Sequence, residues 1–310
     1  MVQEVRIATR DSALALWQAN WVKQKLEELI PDVAFSLVTM KTQGDKILDV
    51  ALAKIGDKGL FTKELEFALL NGSAELAVHS MKDVPTLLPD GLKMGAIAER
   101  HDPRDVLICP QGYTLLTLPA GARVGTSSLR RRAQLAKLRS DLQVLDLRGN
   151  LNTRFAKLDR GDYDAMLLAA AGVERMGWSD RITERISFDL SLPAVGQGSV
   201  GIEIRDDAPE IQAIVDKLNH HESSIAIRAE RALLKKLEGG CQIPIGSLGI
   251  VEGDKLTLHG LVASVDGSRV LRSRLEGPAN EPEELGEKLA LELLGLGAGE
   301  ILAELRQEQS

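Results

Sequence analysis

Only two cysteines occur in the 310 residues, Cys109 and Cys241, and neither has a Cys-x-x-Cys or His-rich neighbourhood. That scarcity excludes a disulfide framework and a thiolate zinc site, and it suits a reducing compartment. Aromatic residues make up 3% of the chain, which leaves few platforms for base stacking. Positive charge is in deficit overall, with a formal net charge of -7, and this argues against a general nucleic-acid binder. No apolar run is long enough to cross a bilayer, and Met1-Val2-Gln3-Glu4-Val5-Arg6 lacks the apolar segment of a secretory signal, so no membrane association and a cytoplasmic location are expected. His101, His220, His221 and His259 form no metal-ligating set. No Gly-x-Gly-x-x-Gly follows a strand and no Gly-Lys-Ser/Thr is present, which removes support for nucleotide binding.

What is present is a globular composition, 44% hydrophobic and 27% charged, in a chain longer than one core usually organises, so two or three domains are expected. Strands are predicted at residues 6–9, 35–40, 74–79 and 92–98, with helices at 13–29 and 60–70. Leu16, Val22, Leu26 and Ile30 form the predicted inner side of the first helix. Strands alternating with helices predict parallel β-α-β units, whose loops gather at the strands' C-terminal ends where ligands bind.

The polar segment His101-Asp102-Pro103-Arg104-Asp105 suits a crossover to a second set of elements. That set has a short strand closing at Val124, helices at 128–138 and 152–158, and strands at 142–147 and 165–169. Residues 192–198 read as a return crossing and 200–205 as one more strand. A helix at 224–237 carries Ala229, Ala232, Leu233 and Leu237 as its apolar stripe, with Gly239 as its stop. Strands at 247–251, 255–262 and 268–275, joined through Glu252-Gly253-Asp254 and Asp266-Gly267, predict an antiparallel meander, completed by helices at 282–293 and 298–306.

Four motifs carry chemistry. In Gly125-Thr126-Ser127-Ser128-Leu129-Arg130-Arg131-Arg132, free backbone N–H groups, hydroxyls and guanidinium forks converge at a helix start, which reads equally as a carboxylate or phosphate site and as a capped helix with a solvated basic face. Arg10, Lys54, Lys58, Lys82, Arg148 and Arg154 at other strand ends tilt the balance toward a cationic cleft. His79-Ser80-Met81-Lys82-Asp83-Val84-Pro85-Thr86 places a carboxylate beside an ammonium on a restrained loop. Alone that is a surface ion pair, whereas in a cleft Asp83 becomes the anion that stabilises a developing cation. Lys54-Ile55-Gly56-Asp57-Lys58-Gly59-Leu60-Phe61 suits a mobile cover over a charged ligand. Gly239-Gly240-Cys241-Gln242-Ile243-Pro244 presents a thiol on a bare glycine loop, or else is a helix cap followed by an incidental cysteine.

Together, from Ile7-Ala8-Thr9-Arg10 to about Leu302, these segments resemble the porphobilinogen deaminase (hydroxymethylbilane synthase) family, with 79–86, 125–131, Leu147-Arg148-Gly149-Asn150, 192–198 and 239–246 in the family's order. The resemblance implies an α/β fold of two periplasmic-binding-protein-like lobes with two crossovers, plus a smaller C-terminal α+β domain built on a three-stranded antiparallel sheet with helices. Its domains would be residues 1–99 with 200–217, residues 100–199, and residues 218–310. It also implies a dipyrromethane cofactor joined to Cys241 through a thioether. Onto it four porphobilinogens are added with loss of ammonia, to give linear hydroxymethylbilane in haem biosynthesis.

Under the same resemblance Asp83 is the catalytic aspartate, stabilising positive charge on pyrrole nitrogen. Arg10, Ser12, Ser80, Lys82, Thr126, Ser128, Arg130, Arg131, Arg148, Arg154, Arg175 and Gln197 bind cofactor or substrate carboxylates, Lys54, Lys58 and Phe61 belong to the cover loop, and no metal takes part. Arg132 is left to solvent, and Asp57 sets a carboxylate among the loop lysines. A monomer is implied, with the product passing to uroporphyrinogen-III synthase. Cys241 follows a helix C-terminus, where the dipole opposes thiolate formation, so its sulfur is expected to need little activation. Leucine at Arg130, Arg131 or Arg148 is expected to weaken loading of anionic intermediates more than folding. A cytoplasmic anionic-solute receptor or sensor is the competing reading, and a phosphate-transfer enzyme lacks both a nucleotide motif and an acidic metal cluster.

Overall fold

The computed structural model describes residues 3–46, 59–237 and 243–308. They form two compact units, one made of the described residues of 1–47, 57–101 and 198–224, the other of those of 102–197 and 225–310.

In the first unit, β1 (Glu4–Arg10), α1 (Ala13–Leu29), β2 (Ala34–Met40), α2 (Lys63–Leu70), β3 (Leu76–Ser80) and β4 (Leu92–Ile97) are joined by β10 (Val200–Arg205) and α6 (Pro209–Val215). The strand order is β2-β1-β3-β10-β4. Period-two alternation sends Val5, Ile7, Val78 and Ile202 to one face, against Ala19, Val22 and Leu26 of α1 and Ile211 and Val215 of α6. Ala8 and Ala77 face the other way, against Leu65, Ala68 and Leu69 of α2. Each fully buried aliphatic side chain contributes about 1.5–3 kcal/mol. The inner side of α1 is Ala15, Gln18, Ala19, Val22 and Leu26, while Leu16 is half-buried. Of the residues expected on that side, Val22 and Leu26 are buried, while Ile30 caps the helix and packs against the core only in part.

The second unit contains β5 (Asp105–Ile108), β6 (Arg123–Gly125), α3 (Leu129–Leu138), β7 (Gln143–Leu145), α4 (Leu151–Asp159), β8 (Ala165–Ala169), α5 (Ala170–Arg175) and β9 (Glu184–Arg185), with sheet order β7-β6-β8-β5-β9. It also holds most of α7 (His221–Lys236), then β11 (Ile245–Glu252), β12 (Lys255–Ala263), β13 (Val270–Pro278), α8 (Pro282–Leu293) and α9 (Gly299–Glu308). The three C-terminal strands form the expected antiparallel meander in the order β11-β12-β13. Ala133 and Leu192 pack with Leu248, Leu261 and Ala263, joining the mixed sheet's layer to the meander. Glu230 of α7, fully buried, accepts 2.8 Å bonds from the N–H groups of Gly196 and Gly249 and adds a polar tie.

Two α/β lobes and a C-terminal antiparallel sheet with helices are therefore as expected, but neither mixed sheet is wholly parallel. β1, β2 and β3 run parallel, as do β6, β7 and β8, whereas β10 and β5 are antiparallel to their neighbours. Both exceptions follow a passage of the chain from one unit to the other, so they enter the sheet from outside the β-α-β rhythm. Where the passages run side by side, His101 N–H donates to Gly198 O at 3.3 Å. Gly198 has φ +99, and a Cβ there would stand 2.5 Å from His101 O, so glycine is required. Short β5 was missed because its start, Asp105, reads as part of a polar linker.

Candidate functional site

In each unit several of the described candidate residues follow the C-terminal ends of parallel strands. In the first unit β1 delivers Arg10, and Ser12 caps α1, its hydroxyl accepting Ala15 N–H at 3.4 Å. Arg10 is ion-paired with Asp45, its Nε donating at 3.0 Å, and its guanidinium lies 4.3 Å from the centroid of the Phe61 ring. Burial pushes the Asp45 carboxyl up, but Arg10 and the hydroxyl and N–H of Thr42 outweigh it and hold the group below its ordinary range. Gly44 makes room for Phe61, since a Cβ would stand 2.2 Å from the ring.

At the end of β3, Ser80 exchanges hydrogen bonds of 3.0 and 3.1 Å with the amide of Gln18, which is 2% exposed. A single 3-10 turn, Met81–Asp83, then carries Lys82 and Asp83, both half-buried. His79 is buried and bonded to Glu203.

In the second unit Thr126 and Ser128 shape the turn from β6 into α3. Thr126 Oγ1 accepts Ser128 N–H at 3.2 Å, and the Ser128 hydroxyl caps α3 by accepting Arg131 N–H at 3.4 Å. Arg130 and Arg131 point inward and converge on Asp105, which is 0% exposed. Arg130 donates to it at 2.6 and 3.1 Å, Arg131 at 3.0 and 2.8 Å, Ser191 at 3.0 Å and Gln197 at 2.9 Å. Burial alone would raise the Asp105 carboxyl, but Arg130 and Arg131 hold it far below the carboxylate range. Burial also lowers Arg131 from the ordinary guanidinium value, against the pull of Asp105.

Two cations to one anion leave this cluster with excess positive charge, and Nε of Arg130 is buried with no hydrogen-bond partner. The sequence expectation makes Arg130 and Arg131 carboxylate binders whose loss weakens loading of anionic intermediates more than folding. Their burial around Asp105 makes them part of the fold as well. Arg132 instead pairs with exposed Asp146 at 3.0 Å.

The turn from β7 to α4 holds Arg148, Gly149 and the cap Asn150, which accepts Thr153 N–H at 2.9 Å. Gly149 sits at φ +112, and a Cβ would stand 2.7 Å from Thr153. Arg154 Nε donates to Gly149 O at 2.9 Å, and Lys157 to Arg148 O at 3.2 Å. Burial lowers Arg148, Asp146 opposing, and pushes Arg175, 8% exposed at the end of α5, down to about 10 against Glu174. Cations disfavoured by burial are sites where a bound anion lowers the free energy. Cys241, Lys54 and Lys58 lie outside the described residues. Among the described residues no group of His, Cys, Asp and Glu could hold a metal ion, and no helix is long and apolar enough to cross a membrane.

Residues 5–213 match the porphobilinogen deaminase dipyromethane cofactor binding domain, and residues 224–295 match the porphobilinogen deaminase C-terminal domain. The chain belongs to the porphobilinogen deaminase family. Family proteins named porphobilinogen deaminase from Carboxydothermus hydrogenoformans and Desulfitobacterium hafniense are 58% and 57% identical to it, covering 99% and 97% of both chains in each comparison. That from Pelotomaculum thermopropionicum is 55% identical over 100% of this chain and 99% of its own. Among solved structures, the probable amino-acid ABC transporter extracellular-binding protein ytmK of Bacillus subtilis is 14% identical, with a TM-score of 0.45 over 70% of this chain and 90% of its own.

The residues present fit the cofactor that the family's domain is described as binding. A dipyrromethane carries carboxylates, and the Asp105 cluster has surplus positive charge with an unused guanidinium N–H at a helix start. Sequence reading missed Asp45, Gln18, Asp105 and Ser191. Gln18 had a usable signal, a polar residue on the stripe of Ala15, Ala19 and Val22. The acids had none, since a lone Asp in a loop does not reveal which arginines it will meet.

Proposed function

We propose that this chain condenses four porphobilinogen molecules head-to-tail on a dipyrromethane primer held by Cys241 as a thioether, releasing ammonia at each addition, after which attack of water breaks the bond to the primer and frees the linear hydroxymethylbilane. The primer supplies a free pyrrole α-carbon as the nucleophile for the first addition, and the terminal pyrrole of the growing chain supplies it for each one that follows. Asp83 accepts hydrogen bonds from pyrrole N–H groups and stabilises the positive charge that builds on nitrogen when ammonia leaves and when the new carbon–carbon bond forms. Each porphobilinogen brings an acetate and a propionate. Arg10, Ser12, Ser80 and Lys82 in the first unit, and Thr126, Ser128, Arg130, Arg131, Arg148, Arg154, Arg175 and Gln197 in the second, bind and orient those carboxylates. Lys54, Lys58 and Phe61 belong to the loop that excludes water while a unit is added.

The observation that carries this reading is the buried excess of positive charge around Asp105, which a solvated basic helix face would not have. The reading extends to a cytoplasmic monomer that hands its product to uroporphyrinogen-III synthase. Intact mass spectrometry tests the core of it. A covalent excess of two pyrrole units mapping to the Cys241 peptide is expected, and a protein of unmodified mass that still makes product overturns the anchor.

A further inference from the structure

β10 grips the turn that bears Lys82 and Asp83, and the polar part of that grip is buried. Antiparallel pairing sets Ser80 opposite Val200, His79 opposite Gly201 and Ala77 opposite Glu203. His79 and Glu203 are therefore diagonal neighbours on one face of the sheet. Nε2 of His79 lies 2.8 Å from Oε2 of Glu203, with the two residues 5% and 0% exposed. A contact that short between a ring nitrogen and a carboxylate oxygen is a hydrogen bond. Two more contacts reach the same turn from β10 and the residue before it. Met81 N–H donates to Ser199 O at 3.0 Å, and Gly201 opens space for the Met81 thioether, because a Cβ there would stand 2.7 Å from Sδ.

Glu66 of α2, 6% exposed, completes the cluster. Burial raises its carboxyl above the ordinary value, the Glu203 charge adds to the rise, and Thr62, His79 and Lys63 oppose it. Replacing a buried ion pair by apolar residues of similar volume is often neutral or stabilising, so registry accounts for such a pair better than stability does.

We propose that Glu203, acting through His79, is a positioning residue that fixes the turn bearing Asp83 for the reaction. The inference rests on the role given to Asp83 above. Three variants test it, His79→Leu with Glu203→Leu, Glu203→Gln, and Asp83→Asn, each read for turnover per primer-loaded enzyme, KM, and amide hydrogen exchange.

The double leucine variant is expected to lose about 10- to 100-fold in kcat with KM within about twofold, the scale of a small misplacement of a reacting group. Its amides at Met81 and Val84 should exchange faster while those of β1 and β2 keep their protection. Glu203→Gln retains an acceptor for the ring N–H and should recover most of the turnover. Wild-type turnover in the double variant, an equal loss in Glu203→Gln, or exchange rising across β1 and β2 together with the turn overturns the proposal. An active Asp83→Asn enzyme would instead refute the role of Asp83 itself.

Discussion

Oδ2 of Asp105 accepts a 2.6 Å hydrogen bond from Nη1 of Arg130 at a point where the two residues are 0% and 4% exposed. Arg131, Ser191 and Gln197 bond to the same carboxylate, so its charge is the only one set against two buried guanidiniums within that cluster. Asp105→Asn keeps the shape and removes the charge, and it should cost about 3–5 kcal/mol of stability, as expected for a broken buried pair. Denaturant titration measures this, and a change under about 1 kcal/mol would contradict the account.

The same carboxylate gives a pH dependence of known sign. Its folded pKa is depressed, so the stability it contributes is complete above the unfolded carboxylate value of about 4 and is lost as pH falls below that value. The Asp105→Asn variant should lose less stability on acidification than the parent, with the two curves converging at low pH. Denaturant titrations between neutral pH and about pH 3 provide the comparison.

Asp83→Asn should leave the thioether intact and lower turnover by about 10²–10³-fold, the usual loss when one preorganised electrostatic stabiliser is removed. Cys241→Ala should fold, carry no covalent excess mass and melt below the primer-loaded parent, because its buried cations lose their bound carboxylates. A loaded, fully active Asp83→Asn enzyme would transfer the charge-stabilising role to another group.

Gly149→Ala should destabilise the turn that carries Arg148, because a positive φ costs an L-residue about 1–2 kcal/mol and the new methyl group also meets Thr153. Binding of a polycarboxylate should weaken along with the melt. Arg148→Leu, which leaves that backbone as it is, should weaken binding and spare the melt.

The sulfur of Cys241 in cofactor-free protein should show no enhanced reactivity toward a thiol reagent, since its sequence position after a helix C-terminus does nothing to favour a thiolate. Enhanced reactivity in a thiol-reactivity profile would show that the sulfur is activated after all.

Much was legible along the chain because it depends on neighbours in sequence. The span of α1 follows from its periodicity, the meander from its turn residues, and the strand–turn–helix start at Ser128 from capping chemistry, whereas the caps at Ser12 and Asn150 emerged only in the structure. These are short-range effects of backbone hydrogen bonding and side-chain spacing. The antiparallel entries of β5 and β10 were not legible, because strand direction depends on where the chain re-enters a sheet.

The sequence by itself determined the family and most of the order of the elements. Tertiary structure alone decided which charges are balanced. Asp105 stands 25 residues before Arg130, and Glu203 124 residues after His79, yet each pair shares a hydrogen bond out of contact with water. Burial is what gives such pairs their strength, since removing solvent magnifies every charge and makes each partner necessary. Burial depends on the closed fold, which no local stretch of sequence records.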